Sequence, residues 1–127
     1  MHNYKAQILS KNTILATYNN FRFSDEAIND FIKNQPVVPV TVNFKDTPIG
    51  ATRSFELDGD RVICSFEIEI PDMEELGLFA VPSGIVNHND ISQEDENGVK
   101  TIMKMQLTEV AITATPADPS LTKIEKG

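Results

Sequence analysis

The cleanest pattern of apolar and polar positions runs from Arg61 to Ile70. Val62, Cys64, Phe66, Ile68 and Ile70 alternate with Ile63, Ser65, Glu67 and Glu69, the period of two that marks a half-buried β-strand. Asp58-Gly59-Asp60 precedes it, and Thr52–Leu57 lies on the other side, so the two runs are predicted to form a hairpin. Pro71 breaks the second arm, after which Asp72 can cap a helical turn with Glu75 as its capping-box partner.

Upstream, strands are predicted near Tyr4–Leu9 and Thr13–Tyr18 around the turn-prone Ser10-Lys11-Asn12. The period then changes to that of a helix. Ser24 is a fit N-cap, Asp25 and Glu26 sit in the first turn and Lys33 in the last, as the helix dipole favours. Phe23 and Ile28 occupy hydrophobic-staple positions. Ala27, Ile28, Phe31 and Ile32 form the buried face, and Pro36 ends the segment. Val37–Val42 is a short strand that Pro39 assigns to a sheet edge.

Downstream, Leu78–Val81 and Ile85–Val86 read as short strands interrupted by Pro82-Ser83-Gly84, and Asn87–Gly98 as a polar, acidic loop. Val99–Leu107 and Val110–Thr115 complete the strands. In the last, Val110, Ile112 and Ala114 share one face and Glu109, Ala111 and Thr113 the other, until Pro116 and Pro119 stop the ladder. A polar tail follows, residues 116–127. The whole predicts a single mainly β domain over residues 1–127, a mostly antiparallel barrel or sandwich with one or two short helices.

Composition narrows the function. The chain has 127 residues, 40% hydrophobic and 24% charged, enough for one core without metal or disulfide support. A net charge of -8 argues against nucleic acid and anionic membranes, which need a cationic partner. Cys64 is the single cysteine, so neither an internal disulfide nor a cysteine zinc site is expected. No apolar run reaches the roughly 20 residues that span a bilayer, and Met1–Lys5 does not open a signal peptide. The expectation is a cytosolic chain without cofactor.

Three blocks carry a resemblance. Val38 to Gly50, Val-Pro-Val-Thr-Val-Asn-Phe-Lys-Asp-Thr-Pro-Ile-Gly, precedes the Asp58-Gly59 hairpin. Leu78-Phe79-Ala80-Val81-Pro82-Ser83-Gly84-Ile85 is the second, and Leu107-Thr108-Glu109-Val110-Ala111-Ile112 the third, with its Ala-Thr-Pro-Ala-Asp-Pro exit. In this order, over roughly two thirds of the chain, they resemble the phage prohead maturation proteases, a β-barrel family related to the herpesvirus assemblins.

The resemblance implies a serine nucleophile, a histidine base and an acidic partner. Here Phe44 stands at the histidine position, Pro82 at the serine position with Ser83 one residue later, and Glu109 at the acidic position. A phenyl ring accepts no proton, so the site reads as degenerate. The expectation is a pseudoenzyme: a phage head structural protein that binds the major capsid protein or other head proteins as an auxiliary or decoration component. It would reside in the virion after assembly in the host cytoplasm, and self-association is open. The alternative is an active prohead serine protease that trims capsid and scaffold precursors, in which His88, or His2, replaces the missing base for Ser83. A third reading is a β-barrel binding module whose similarity is accidental.

Each residue also has a plainer role. Pro-Ser-Gly serves as a turn or bulge, Glu109 as a strand-end carboxylate bonded to water, Lys or Arg, and Cys64 as core. Asn87-His88-Asn89-Asp90 with Glu94, Asp95 and Glu96 offers oxygen ligands, but a hydrated hairpin loop fits their spacing better than a calcium loop. Phe44 is expected to fill the mouth of the former site. Contacts with partners are assigned to the Asn87–Gly98 loop and to an N-terminal strand whose Tyr4, Ile8 and Leu9 add to a partner's sheet edge.

Overall fold

A computed structural model describes residues 1–11, 20–45, 47–116 and 118–127. The expected strand over Thr13–Tyr18 lies outside them. In chain order the elements are β1 (His2–Ser10), β2 (Phe21–Phe23), α1 (Asp25–Asn34), β3 (Pro39–Val42), β4 (Gly50–Asp58), β5 (Arg61–Ile68), β6 (Phe79–Ile85), β7 (Lys100–Ile102), β8 (Gln106–Thr113) and β9 (Glu125–Lys126). Short 3-10 turns occupy Met73–Leu76 and His88–Asp90. The fold is mainly β, as the alternation predicts.

The main sheet has the order β6-β8-β3-β4-β5-β1-β9, and β2 pairs with β7 in a small second sheet. Its ladders are antiparallel except between β3 and β8, which run parallel with Val40, Thr41 and Val42 opposite Val110, Ala111 and Ile112. The sheet curls into a half-barrel. Its two flanks approach, and β1 packs against β6 with no ladder between them.

The core follows the period. On β5, Val62, Cys64, Phe66 and Ile68 are all buried, and from β1 so are Tyr4, Ala6, Ile8 and Leu9. Burying the Val, Ile, Leu and Phe side chains among them contributes about 1.5–3 kcal/mol each. Tyr4 also spends its hydroxyl well: it donates to the Ile70 carbonyl at 2.8 Å and accepts from the Met73 amide at 3.2 Å. The chain leaving β5 is held there. Gly50 is required for a different reason, because a Cβ at that position would meet the Glu67 carbonyl oxygen in the β4–β5 ladder.

The helix forms where its caps place it. Ser24 accepts the Ala27 amide at 3.0 Å, Ile28 and Phe31 are buried, and Gln35 closes the helix in the left-handed region at φ 45°. Gln35 then ties the helix to the sheet. Its side-chain amide donates to the Phe55 carbonyl at 2.6 Å and its oxygen accepts the Phe55 amide at 2.8 Å. That pair replaces a strand neighbour that β3, paired with β4 only at Pro39 and Val40, does not supply. Thr52 fixes the adjoining segment, accepting from the Val38 amide and donating to the Pro36 carbonyl.

Several expectations are corrected. β3 is interior, not an edge: Pro39 stands at its first residue, and pairing with β8 begins only at Val40, so no ladder bond needs the missing N–H. Residues 79–85 form one strand, with a register shift between Ser83 and Gly84 in place of an interruption. Here the strand edge lies free, and an edge tolerates Pro82. Asp72 adopts φ 57° and makes no side-chain cap. The expected strand Val99–Leu107 divides into β7 and the start of β8.

The N-terminal strand is interior as well, because β5 and β9 flank it and Tyr4, Ile8 and Leu9 face the core. It offers no apolar side chain to a partner. The tail is polar in composition but docked: Leu121 and Ile124 are buried, and Ile124 donates to the Leu78 carbonyl at 2.8 Å.

Gln35→Ala is expected to destabilise the chain by about 1–3 kcal/mol, since it strips both partners from the Phe55 backbone. Urea unfolding checks this; an unchanged midpoint would show that the helix-to-sheet bond carries no weight.

Candidate functional site

The strand order brings the candidate residues to one region. Phe44 follows the end of β3, Pro82 and Ser83 lie in edge strand β6, and Glu109 lies in β8 between them. Ser83, not Pro82, is the register partner of Glu109, while Pro82 pairs with Val110. The bulge that follows Ser83 places Gly84 opposite Leu107, where a Cβ would strike the Gln106 carbonyl oxygen.

Phe44, Pro82 and Ser83 line a cavity of about 240 Å³ between β1 and β6, with Leu9, Phe23 and Ile102 among its apolar walls. Phe44 does not fill this space as expected. The residue remains 45% exposed, and its backbone sits at φ 62° next to Asn43 at φ 52°. For a bulky residue the left-handed region is strained by about 1–2 kcal/mol. The strained turn thus holds an aromatic ring at the cavity rim.

Glu109 is engaged elsewhere. Its carboxylate accepts from the Thr41 hydroxyl at 2.6 Å, a charge-assisted bond that ties β8 to β3. Among the described residues its partner is a hydroxyl and no ion pair with Lys or Arg includes it. Ser83 has its carbonyl bonded to the Thr108 hydroxyl at 3.2 Å. His88 sits exposed in its 3-10 turn, and no hydrogen bond joins it to Ser83 among the described residues. Its neighbours Asn87 and Asp90 line a separate cleft with Ile85 and Lys104. His2 begins β1, opposite Ile68.

The other candidates have local explanations. Asp95 accepts the Asn97 and Val99 amides at 2.8 and 3.0 Å, and these two bonds hold its carboxyl below the usual range. It closes the turn of the loop. Among the described residues no three His, Cys, Asp or Glu side chains gather as a metal would require. Cys64 is buried between β4 and β1 on β5, and burial pushes its thiol up to about 12.

Comparison with protein-family models, with curated proteins and with solved structures found no match.

The residue that sequence reasoning misses is Asp118. It belongs to a tail whose composition is polar, yet it is 5% exposed and lines the same cavity as Ser83. Its place in the Ala-Asp-Pro exit, where prolines fix the turn, is the one signal that could have marked it.

Two outcomes follow from these bonds. Thr41→Val keeps the shape of a buried strand residue but removes the donor to Glu109, and is expected to cost about 1–2 kcal/mol in urea unfolding. For Cys64 the folded state holds the proton more tightly than the unfolded chain, whose thiol ionises near 8.5. The stability it contributes is therefore complete below that pH and lost as pH rises toward 12. Between pH 8.5 and 10.5 the wild type should lose about 1–3 kcal/mol more than Cys64→Val; parallel curves would contradict the burial of the thiol.

Proposed function

We propose that this chain is a phage head structural protein, a prohead-protease-like barrel without catalysis that binds the capsid as an auxiliary or decoration component. One observation carries the reading. Phe44 from the first stretch that resembles the protease family, Val81–Gly84 from the second and the Thr115-Pro116 exit of the third line one cavity, and the residue standing at the family's histidine position is the exposed, strained Phe44. Glu109 gives its carboxylate to Thr41 and so serves the framework instead of orienting a base. A serine without a proton acceptor is a poor nucleophile. A surface with net charge -8 suits contact with basic protein surfaces, because complementary charge steers association.

A second reading, a working prohead serine protease, draws on the pairing of Ser83 with Glu109 across the β6–β8 ladder. It requires His88 to leave its exposed turn and reach Ser83.

The test is incubation of the full chain with a fluorophosphonate probe and with capsid precursor, together with assay of purified virions. The expected result is no label at Ser83, no cleavage, and stoichiometric retention in mature heads. Labelling of Ser83 that is lost in His88→Ala would overturn the non-catalytic reading. Absence from virions would overturn the structural one. The alignment has its own check: Phe44→His with Pro82→Ser should leave the fold intact, because one position is exposed and the other lies in an edge strand. Loss of cooperative unfolding in that variant would show both positions to be structural.

A further inference from the structure

Asn97 is the one asparagine of the chain that is followed by glycine. It stands exposed at the tip of the polar loop between β6 and β7. The tip is a tight turn. Gly98 donates to the Asp95 carbonyl at 3.0 Å, Asp95 donates to the Val99 carbonyl at 3.0 Å, and Gly98 lies in the left-handed region at φ 74°. Such a connection is closed by a glycine bulge. The Asp95 carboxylate adds a second tie, accepting the Asn97 and Val99 amides at 2.8 and 3.0 Å. The Asn97 side chain itself has no hydrogen-bond partner among the described residues, whereas its backbone amide has one.

That pairing carries chemistry of its own. The side-chain carbon Cγ of an asparagine is electrophilic, and the amide nitrogen of the next residue is the nucleophile nearest to it. Joining them is an intramolecular ring closure, which gains the effective concentration of tethered reactants. Glycine is the residue that allows it, because no Cβ crowds the nitrogen and the backbone can turn freely toward the ring geometry. At Gly98 the surroundings are open as well: a Cβ built there would meet nothing within 4 Å. One feature opposes the reaction. The nucleophilic nitrogen must give up its proton, and in the folded turn that N–H is bonded to the Asp95 carbonyl.

We propose that Asn97 is a self-modification site, converted in water and without an enzyme to iso-aspartate and aspartate, at a rate set by the Asp95–Gly98 turn. Hydroxide takes the Gly98 amide proton, the nitrogen forms a bond to Asn97 Cγ, and the bond from Cγ to the side-chain nitrogen breaks. Ammonia leaves with a proton from water, and a succinimide remains. Water then opens the ring at either carbonyl. Attack at the main-chain carbonyl yields iso-aspartate, and attack at the side-chain carbonyl yields aspartate. Nothing is oxidised or reduced; one water is consumed and one ammonia released. Either product adds a carboxylate beside Glu94, Asp95 and Glu96. Iso-aspartate also lengthens the main chain by a methylene, so the bonds of Gly98 and Val99 to Asp95 cannot all be kept. The base of the loop has ties of its own, Ser92 to the Thr101 carbonyl at 2.9 Å and Thr101 to the Ser92 hydroxyl at 2.8 Å. The change is therefore confined to the tip, and it stands apart from the capsid-binding reading.

The test is incubation of the full chain in mildly alkaline buffer beside a free peptide spanning Gln93 to Lys100. Peptide mapping by mass spectrometry, with an isoaspartyl methyltransferase to count iso-aspartate, follows each asparagine. Conversion is expected at Asn97 ahead of every other asparagine. It should run about tenfold slower than in the free peptide, the ratio that one net hydrogen bond supplies when it must open first. Asp95→Ala removes the carboxylate ties and should convert about tenfold faster than the wild type. Asn97→Gln, whose longer arm would need a larger ring, should show no conversion at the tip. No conversion of the wild type while the peptide converts fully would overturn the site, as would a signal that persists in Asn97→Gln. Conversion of the folded chain at the peptide's rate would overturn control by the turn. That comparison decides even where Asp95→Ala does not fold.

Discussion

The parallel ladder between β3 and β8 is the constraint on which the rest depends. On one side of it lie β4, β5, β1 and β9; on the other, β8 and β6. Each side is held by antiparallel pairing of its own, and only Val40, Thr41 and Val42 against Val110, Ala111 and Ile112 join them into one sheet. Five of these six residues are fully buried, and Val42 is half-buried. A parallel pair is slightly weaker per residue than an antiparallel one, so the added bond from Thr41 to Glu109 counts. Because the ladder is short, it also fixes which chain segments meet at the cavity.

That junction separates framework from chemistry. Glu109 stabilises the ladder, and Ser83 borders the cavity from the free edge of β6. Phe44 leaves β3 through two successive left-handed residues, a conformation retained only where the surroundings over-determine it. Polar atoms around the cavity fall into two sets. Most are satisfied by short local bonds, as in the relay from Gln7 to Asp118. Asp118 Oδ2 is not.

Local physics made much of the fold legible. The hairpin at Asp58-Gly59-Asp60, the alternating burial of β5 and the capped helix after Ser24 each depend on neighbouring residues alone, and the sequence carries those signals in full. The misreadings involve partners distant in the chain. Pro39 looked like an edge marker because nothing local reveals that β8, 70 residues later by Val40 and Val110, pairs beyond it. Pro82-Ser83-Gly84 carries the signal of a bulge, which the register shift after Ser83 matches, but that the strand continues through it along a free edge is a property of the sheet. The tail looked solvated because two apolar residues, Leu121 and Ile124, anchor it among many polar ones. The same limit hid Asp118, whose burial comes from tertiary packing.

Native-state amide hydrogen exchange tests the central dependence most directly. If the β3–β8 ladder holds the two halves together, the amides bonded across it should exchange only through global unfolding, with the full free energy of the chain. The slow set should then include ladder amides from both β3 and β8 alongside those of β5. Exchange at the β3–β8 ladder with a markedly lower free energy than in the β4–β5 hairpin would show that the halves part independently, and would contradict the account.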